Sequence, residues 1–272
     1  MESMNGRQLF AVALFGLAAA LAANALLGPL LLDVVEYPFS ESVRNQAIGL
    51  EAVTLLLVVP WAMIAGAPVA KGPRHGPVLA IPPGGYAAYM MVQYVVGPNY
   101  VEHAFVVPLH LAIFVLGMTC ATAGWALQDA GALRPARSRW YGWLALGLGT
   151  FVFARYFPLF FGGVAQEPLP EEFAQDPAMY WTVVLLDVGI VVPACVAVAV
   201  AVWNRSPMAA KAVAGLLGWF VLVPISVAAM AVVMLVNDDP HKSLPTAVLL
   251  GIAAAVFTGF AGWVGTRLMR SG

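Results

Sequence analysis

The sequence predicts an all-α, polytopic membrane helix bundle of about eight transmembrane helices, and three observations predict it. The 272 residues are 61% hydrophobic and 10% charged, with a mean hydropathy of +0.85; a soluble domain is roughly 45–50% apolar and about 25% charged. Apolar runs near the ~20 residues that cross hydrocarbon recur eight times. Lys and Arg collect at alternate connectors. Fourteen acids and thirteen bases cannot coat a water-facing surface of this size. No basic face exists for nucleic acid, and the partner that the composition demands is the lipid bilayer.

The runs are 9–32, 47–67, 78–96, 104–127, 140–161, 180–203, 212–236 and 246–264. The first is longer than the 7–15-residue apolar core of a signal peptide, so it reads as an uncleaved first helix. Eight crossings put both termini on one side. Arg7, Lys71, Arg74, Arg134, Arg137, Arg139, Arg205, Lys211, Arg267 and Arg270 fall on that side, and only Arg44 and Lys242 fall opposite. Basic residues near span ends stay in the cytoplasm, so the expectation is a multi-pass cell-membrane protein with both termini cytoplasmic. Asp33, Glu36, Glu41, Glu102, Glu167, Glu171, Glu172, Asp176, Asp238 and Asp239 take the outer side.

The longest connectors are the outer ones, 33–46 and 162–179. The second carries EPLPEEFAQDP, which reads as a solvated loop or as a lid over an outward-facing pocket. No linker sets off a soluble domain, so 1–272 is taken as one integral membrane domain. Val58-Val59-Pro60 recurs as Val191-Val192-Pro193, each preceded by an acid, Glu51 or Asp187. Two parallel four-helix repeats, 1–136 and 137–272, are one reading; chance recurrence of abundant Val and Pro is the other.

Charge inside a span is expensive and therefore informative. Glu51, Arg155 and Asp187 each lie about four to seven residues from the outer end of a helix, roughly 6–10 Å deep at 1.5 Å per residue. Three ionisable groups at one level are expected to meet, with Arg155 pairing one acid and the other titrating or binding a cation. His110 lies near that level. Tyr86, Tyr89 and Gln93, at i, i+3 and i+7, form one stripe on the third helix. The candidate ligand-binding set is thus Glu51, Tyr86, Tyr89, Gln93, His110, Arg155 and Asp187; a purely structural ion-pair knot is the competing reading.

No catalytic residue, metal site or cofactor is assigned. H-E-x-x-H, C-x-x-C, Walker A and G-x-G-x-x-G are absent. Cys120 and Cys195 lie in apolar runs. His75, His103 and His241 lie at surfaces, where Glu102 beside His103, or Asp238 and Asp239 near His241, fit loop hydration better than a metal. Lys71, Lys211 and Lys242 lie at span ends, unsuited to an intramembrane Schiff base. Serines lack a His at helical spacing. Prolines interrupt six spans, and Pro82-Pro83-Gly84-Gly85 is the expected broken segment.

The stretch 49–118 contains GLEAVTLLLVVP and YAAYMMVQYVVGPNYVEHAFVVPLHLAIFVLGM, and a later stretch reads WTVVLLDVGIVVP. These resemble an uncharacterised family of prokaryotic multi-pass membrane proteins with an acid before V-T-L, an aromatic-rich third helix and a short outer loop. The resemblance implies no reaction or ligand, and it places Glu51 and Asp187 in the recognisable segments. The expected function is small-solute or ion binding and transport through an outward-facing polar pocket. The alternatives are an enzyme acting on a lipid-soluble substrate and an accessory or sensory subunit.

Overall fold

The computed structural model describes residues 6–72, 76–98, 100, 104–134, 136–161 and 169–269. The expectations placed on Arg74, His75, Glu102, His103, Glu167 and Arg270 fall outside them. Among the described residues every regular element is helical. The helices are α1 (Gly6–Leu27), α2 (Glu41–Lys71), α3 (Ile81–Val96), α4 (Val107–Leu127), α5 (Trp140–Ala154), α6 (Phe157–Phe161), α7 (Pro177–Trp203), α8 (Ala209–Val236) and α9 (Leu244–Met269). Six of these, α1, α2, α4, α7, α8 and α9, are long and apolar enough to cross a membrane. The other two apolar runs are subdivided. A 3-10 turn, Pro77–Ala80, leads into the 16 residues of α3, and the run at 140–161 is broken at Arg155–Tyr156 between α5 and α6.

The expected break at Pro82-Pro83 does not occur. Both prolines sit in the first turn of α3, where a missing N–H leaves no intrahelical bond unmade. The backbone irregularities lie instead in α2 and α7, as wide π turns at Thr54–Val58 and Asp187–Val191. Val59 N–H bonds back to Thr54 O, and Val192 N–H to Asp187 O. Pro60 and Pro193 follow directly. A proline ring crowds the carbonyl four residues before it and offers it no hydrogen; one extra residue in the turn makes room. The two π turns lie 133 residues apart, at the offset of the Val-Val-Pro recurrence.

Most buried apolar side chains fall into two main cores. One gathers residues between Phe10 and Cys120, with Leu222 from α8. The other joins α5, α7, α8 and α9, with Val78, Leu133 and Ala136. Small residues set the closest crossings, as in membrane bundles generally. A Cβ on Gly84 would lie 2.7 Å from Ala121 N and from Gly117 O, so α3 and α4 touch backbone to backbone. Outward faces carry bare apolar side chains such as Leu56, Ile64, Leu249 and Val256, each more than 60% exposed, a surface that water does not favour.

The two ends of the bundle differ in charge. At one end Arg7 donates to Gly72 O, Lys211 to Trp125 O, Trp203 Nε1 to Arg139 O, and Arg134 N to Leu268 O. At the other, Ser40 N donates to Asp176, Ser42 to Asp239 and Arg44 to Asp33. Basic connectors thus join basic connectors and acidic join acidic, as rods of alternating direction require.

Candidate functional site

A cavity of about 580 Å³ lies among α2, α3, α5, α7, α8 and α9. Its wall is mostly aliphatic and aromatic, with Met90, Phe151, Val183, Trp219, Phe220, Met230 and Phe257. Tyr86, Tyr89 and Gln93, one stripe of α3, all line it, as do Arg155, Glu172 and Asp187. A volume of this size, apolar with a few polar groups, is the usual form of a small-molecule pocket, roughly 300–1,000 Å³.

Asp187 opens the π turn of α7 and is 7% exposed. Tyr89 OH donates to its Oδ1 at 2.6 Å and Tyr156 OH to its Oδ2 at 2.6 Å. Both carboxyl oxygens thus already accept from phenols. The ion pair expected between Arg155 and an acid is therefore not what holds Asp187. Among the described residues Arg155 has no acid within 4 Å and lies 5.7 Å over the Tyr156 ring. Tyr86 turns its hydroxyl to Ser226 at 2.7 Å and, more loosely, to Thr54. Gln46 Nε2 and Tyr94 OH are buried cavity-wall residues' polar atoms with no hydrogen-bond partner among the described residues.

Glu51 and His110 belong to a second, separate network. Glu51 is 1% exposed and His110 0%. Tyr37 OH donates to Glu51 Oε1 at 2.7 Å, and Leu30 N–H to Oε2 at 3.3 Å. Asn24 Nδ2 donates to Tyr37 OH at 3.0 Å, Asn24 Oδ1 faces His110 Nε2 at 3.0 Å, and His110 Nδ1 faces Tyr100 OH at 3.3 Å. Gly28 gives the carboxyl its room, because a Cβ there would lie 2.6 Å from Oε1. The three ionisable groups expected to meet are thus divided: Arg155 and Asp187 lie at the cavity, while Glu51 ties α1, α2 and α4 together. Tyr94 stands between the two, stacked on Tyr37 at 4.8 Å and also lining the cavity.

Tyr37 lies in the connector between α1 and α2, outside the spans. Burial first, and then the Glu51 carboxyl, hold its phenol well above the ordinary tyrosine value. The unfolded chain loses this proton near pH 10, while the folded chain keeps it to higher pH. The stabilisation is therefore complete below that point and declines as pH rises beyond it. The stability difference between the protein and Tyr37→Phe should narrow above about pH 10 in unfolding experiments.

A third polar cluster was invisible in the sequence. Ser42 Oγ lies 3.0 Å from both Asp239 Oδ1 and His241 Nδ1, although 197 and 199 residues separate them. The order differs from a nucleophilic triad, in which the base contacts the nucleophile and the acid orients the base. Here the hydroxyl donates to the acid. Asp239 also accepts from Asn45 Nδ2 at 2.8 Å and His241 N at 2.8 Å, which fastens α8 to the start of α2. Among the described residues no group of three or more His, Cys, Asp or Glu could hold a metal ion.

No protein-family model, curated protein or solved structure matches this chain.

Tyr37, Asn24, Tyr100 and Tyr156 complete the networks and were not among the sequence candidates. Asn24 had a signal, an amide inside an apolar run, and Tyr156 adjoins Arg155. Nothing in the spacing marked Tyr37 or Tyr100.

Proposed function

We propose that the protein binds a small, largely apolar solute in the cavity between its halves and carries it within or across the membrane. The observation that supports this reading is the cavity itself, ligand-sized, lined from six helices, with polar groups confined to a few positions. In the same reading the chain crosses the membrane eight times. The α5–α6 and α3 rods complete the set, both termini are cytoplasmic, and the acidic end faces outward. The separation of basic from acidic connectors supports that orientation. A 4+4 repeat, and membership of the prokaryotic multi-pass family that the 49–118 stretch resembles, belong to the proposal; the paired π turns support the repeat.

Reconstituted into liposomes, the protein should speed the exchange between leaflets of a single-chain lipid carrying a fluorescent nitrobenzoxadiazole group, followed by dithionite bleaching. Ala253→Phe, which fills the cavity from α9, should return the rate to that of protein-free liposomes. Equal rates with and without the unsubstituted protein would remove carriage from the reading.

A further inference from the structure

We propose that the cavity's ligand is an amphiphile with an anionic end, a carboxylate or phosphate, held by the Arg155 guanidinium, with its hydrocarbon part lying toward Trp219 and Phe257. This rests on the cavity being the binding site and adds the class of ligand.

Arg155 sits where the helix is interrupted. Its N–H and that of Tyr156 reach back only three residues, to Val152 O and Phe153 O, so the side chain leaves the rod at the cavity wall. A guanidinium carries five donors in a fixed fork and no acceptor. Among the described residues none of those donors makes a hydrogen bond or an ion pair, and the Tyr156 ring is the group beneath it. Arg155 is an exposed residue of this wall, and a charged group in a membrane span is costly until it meets acceptors.

The two acids on the same wall are in a different condition. Both oxygens of Asp187 already receive phenol hydrogens, so it has hydrogen-bond partners without a ligand. Glu172 lines the cavity but stands more than 4 Å from Arg155. The group without a direct hydrogen-bond partner is thus the cation, although Asp187 and Glu172 lie near enough to act on its charge. A planar fork matches carboxylate and phosphate oxygens two at a time, and the rest of the wall offers hydrocarbon and aromatic rings.

The test uses the full-length protein in nanodiscs and dibromostearate, its methyl ester and a brominated lysophosphatidate as probes. Bromine quenches tryptophan on contact, and the part of the signal lost in Trp219→Phe reports the cavity. The acid and the lysophosphatidate should bind about tenfold or more tighter than the ester, the size expected for hydrogen bonds to a charged group. Arg155→Gln should bring both down to the level of the ester and leave the ester unchanged, while Arg155→Lys keeps part of the preference. Equal binding of acid and ester to the unsubstituted protein would overturn the proposal, and so would an unchanged preference in Arg155→Gln. A preference that emerges only in Glu172→Gln would overturn it too, because Arg155 would then be paired internally. Saturable, Trp219-dependent quenching by the ester keeps the cavity reading whatever the head group does. Absence of such quenching by all three probes would end both.

Discussion

Alanine at Gly49 is expected to lower the stability of the fold by about 2–3 kcal/mol, the upper part of the range for overpacking. Gly49 lies in α2 where it crosses α8. A Cβ there would come 2.6 Å from both the Cα and the N of Met230 and 2.8 Å from the carbonyl carbon of Ala229. All three are backbone atoms of a helix, so no rotamer change relieves the contact and the two rods must separate. Separation would also draw Glu51, half a turn away, from Tyr37 and Leu30. Gly147 in α5 supplies the control: nothing lies within 4 Å of its added Cβ. Gly147→Ala should be neutral or stabilising by about 0.5–1 kcal/mol through backbone entropy. Thermal unfolding of both variants in dodecyl maltoside decides the matter. Equal midpoints would mean that the α2–α8 crossing is looser than the structure has it.

Helices were legible in the sequence because hydrocarbon imposes a length and a composition, and both can be counted along one dimension. The stripe of Tyr86, Tyr89 and Gln93 was legible for the same reason: 3.6-residue periodicity fixes a shared face, and the three residues line one cavity. Depth alone did not fix neighbours. Glu51 and Asp187 lie at comparable distances from their helix ends, yet their partners come from different rods, since azimuth around the bundle depends on packing that no single helix encodes. Pro82-Pro83 invited a break because proline inside a helix is disruptive; their place in a first turn, after the 3-10 turn at Pro77–Ala80, removes the conflict. The cluster of Ser42, Asn45, Asp239 and His241 joins parts of the chain almost 200 residues apart, and periodicity carries no information about such contacts. Tyr37 is the plainest case. It sits in a connector that hydropathy marks as outside the bundle, and its side chain returns inward to the carboxyl of Glu51.

Removal of the Tyr37 hydroxyl should accordingly be among the most damaging changes of a single atom. Tyr37→Phe deletes the donor to Glu51 Oε1 and the acceptor of Asn24 Nδ2 together, and both remain buried. An unsatisfied buried donor or acceptor costs about 1–3 kcal/mol, so a loss of about 3 kcal/mol is expected for the two together. Glu51→Gln should be milder, about 1 kcal/mol, because the amide retains an oxygen that accepts from Tyr37. Glu51→Leu removes the polar group outright. In the Tyr37→Phe background it should restore stability, although in the unsubstituted background it destabilises, since there it strands the hydroxyl. That change of sign separates a hydrogen-bonded pair from two independently packed side chains, and a double-mutant cycle on unfolding free energies measures it. Additive effects in the cycle would show that Tyr37 stabilises the end of the bundle through its ring, stacked on Tyr94 and set against His110; the carboxyl of Glu51 would then draw its stabilisation from Leu30 N–H and the space that Gly28 leaves.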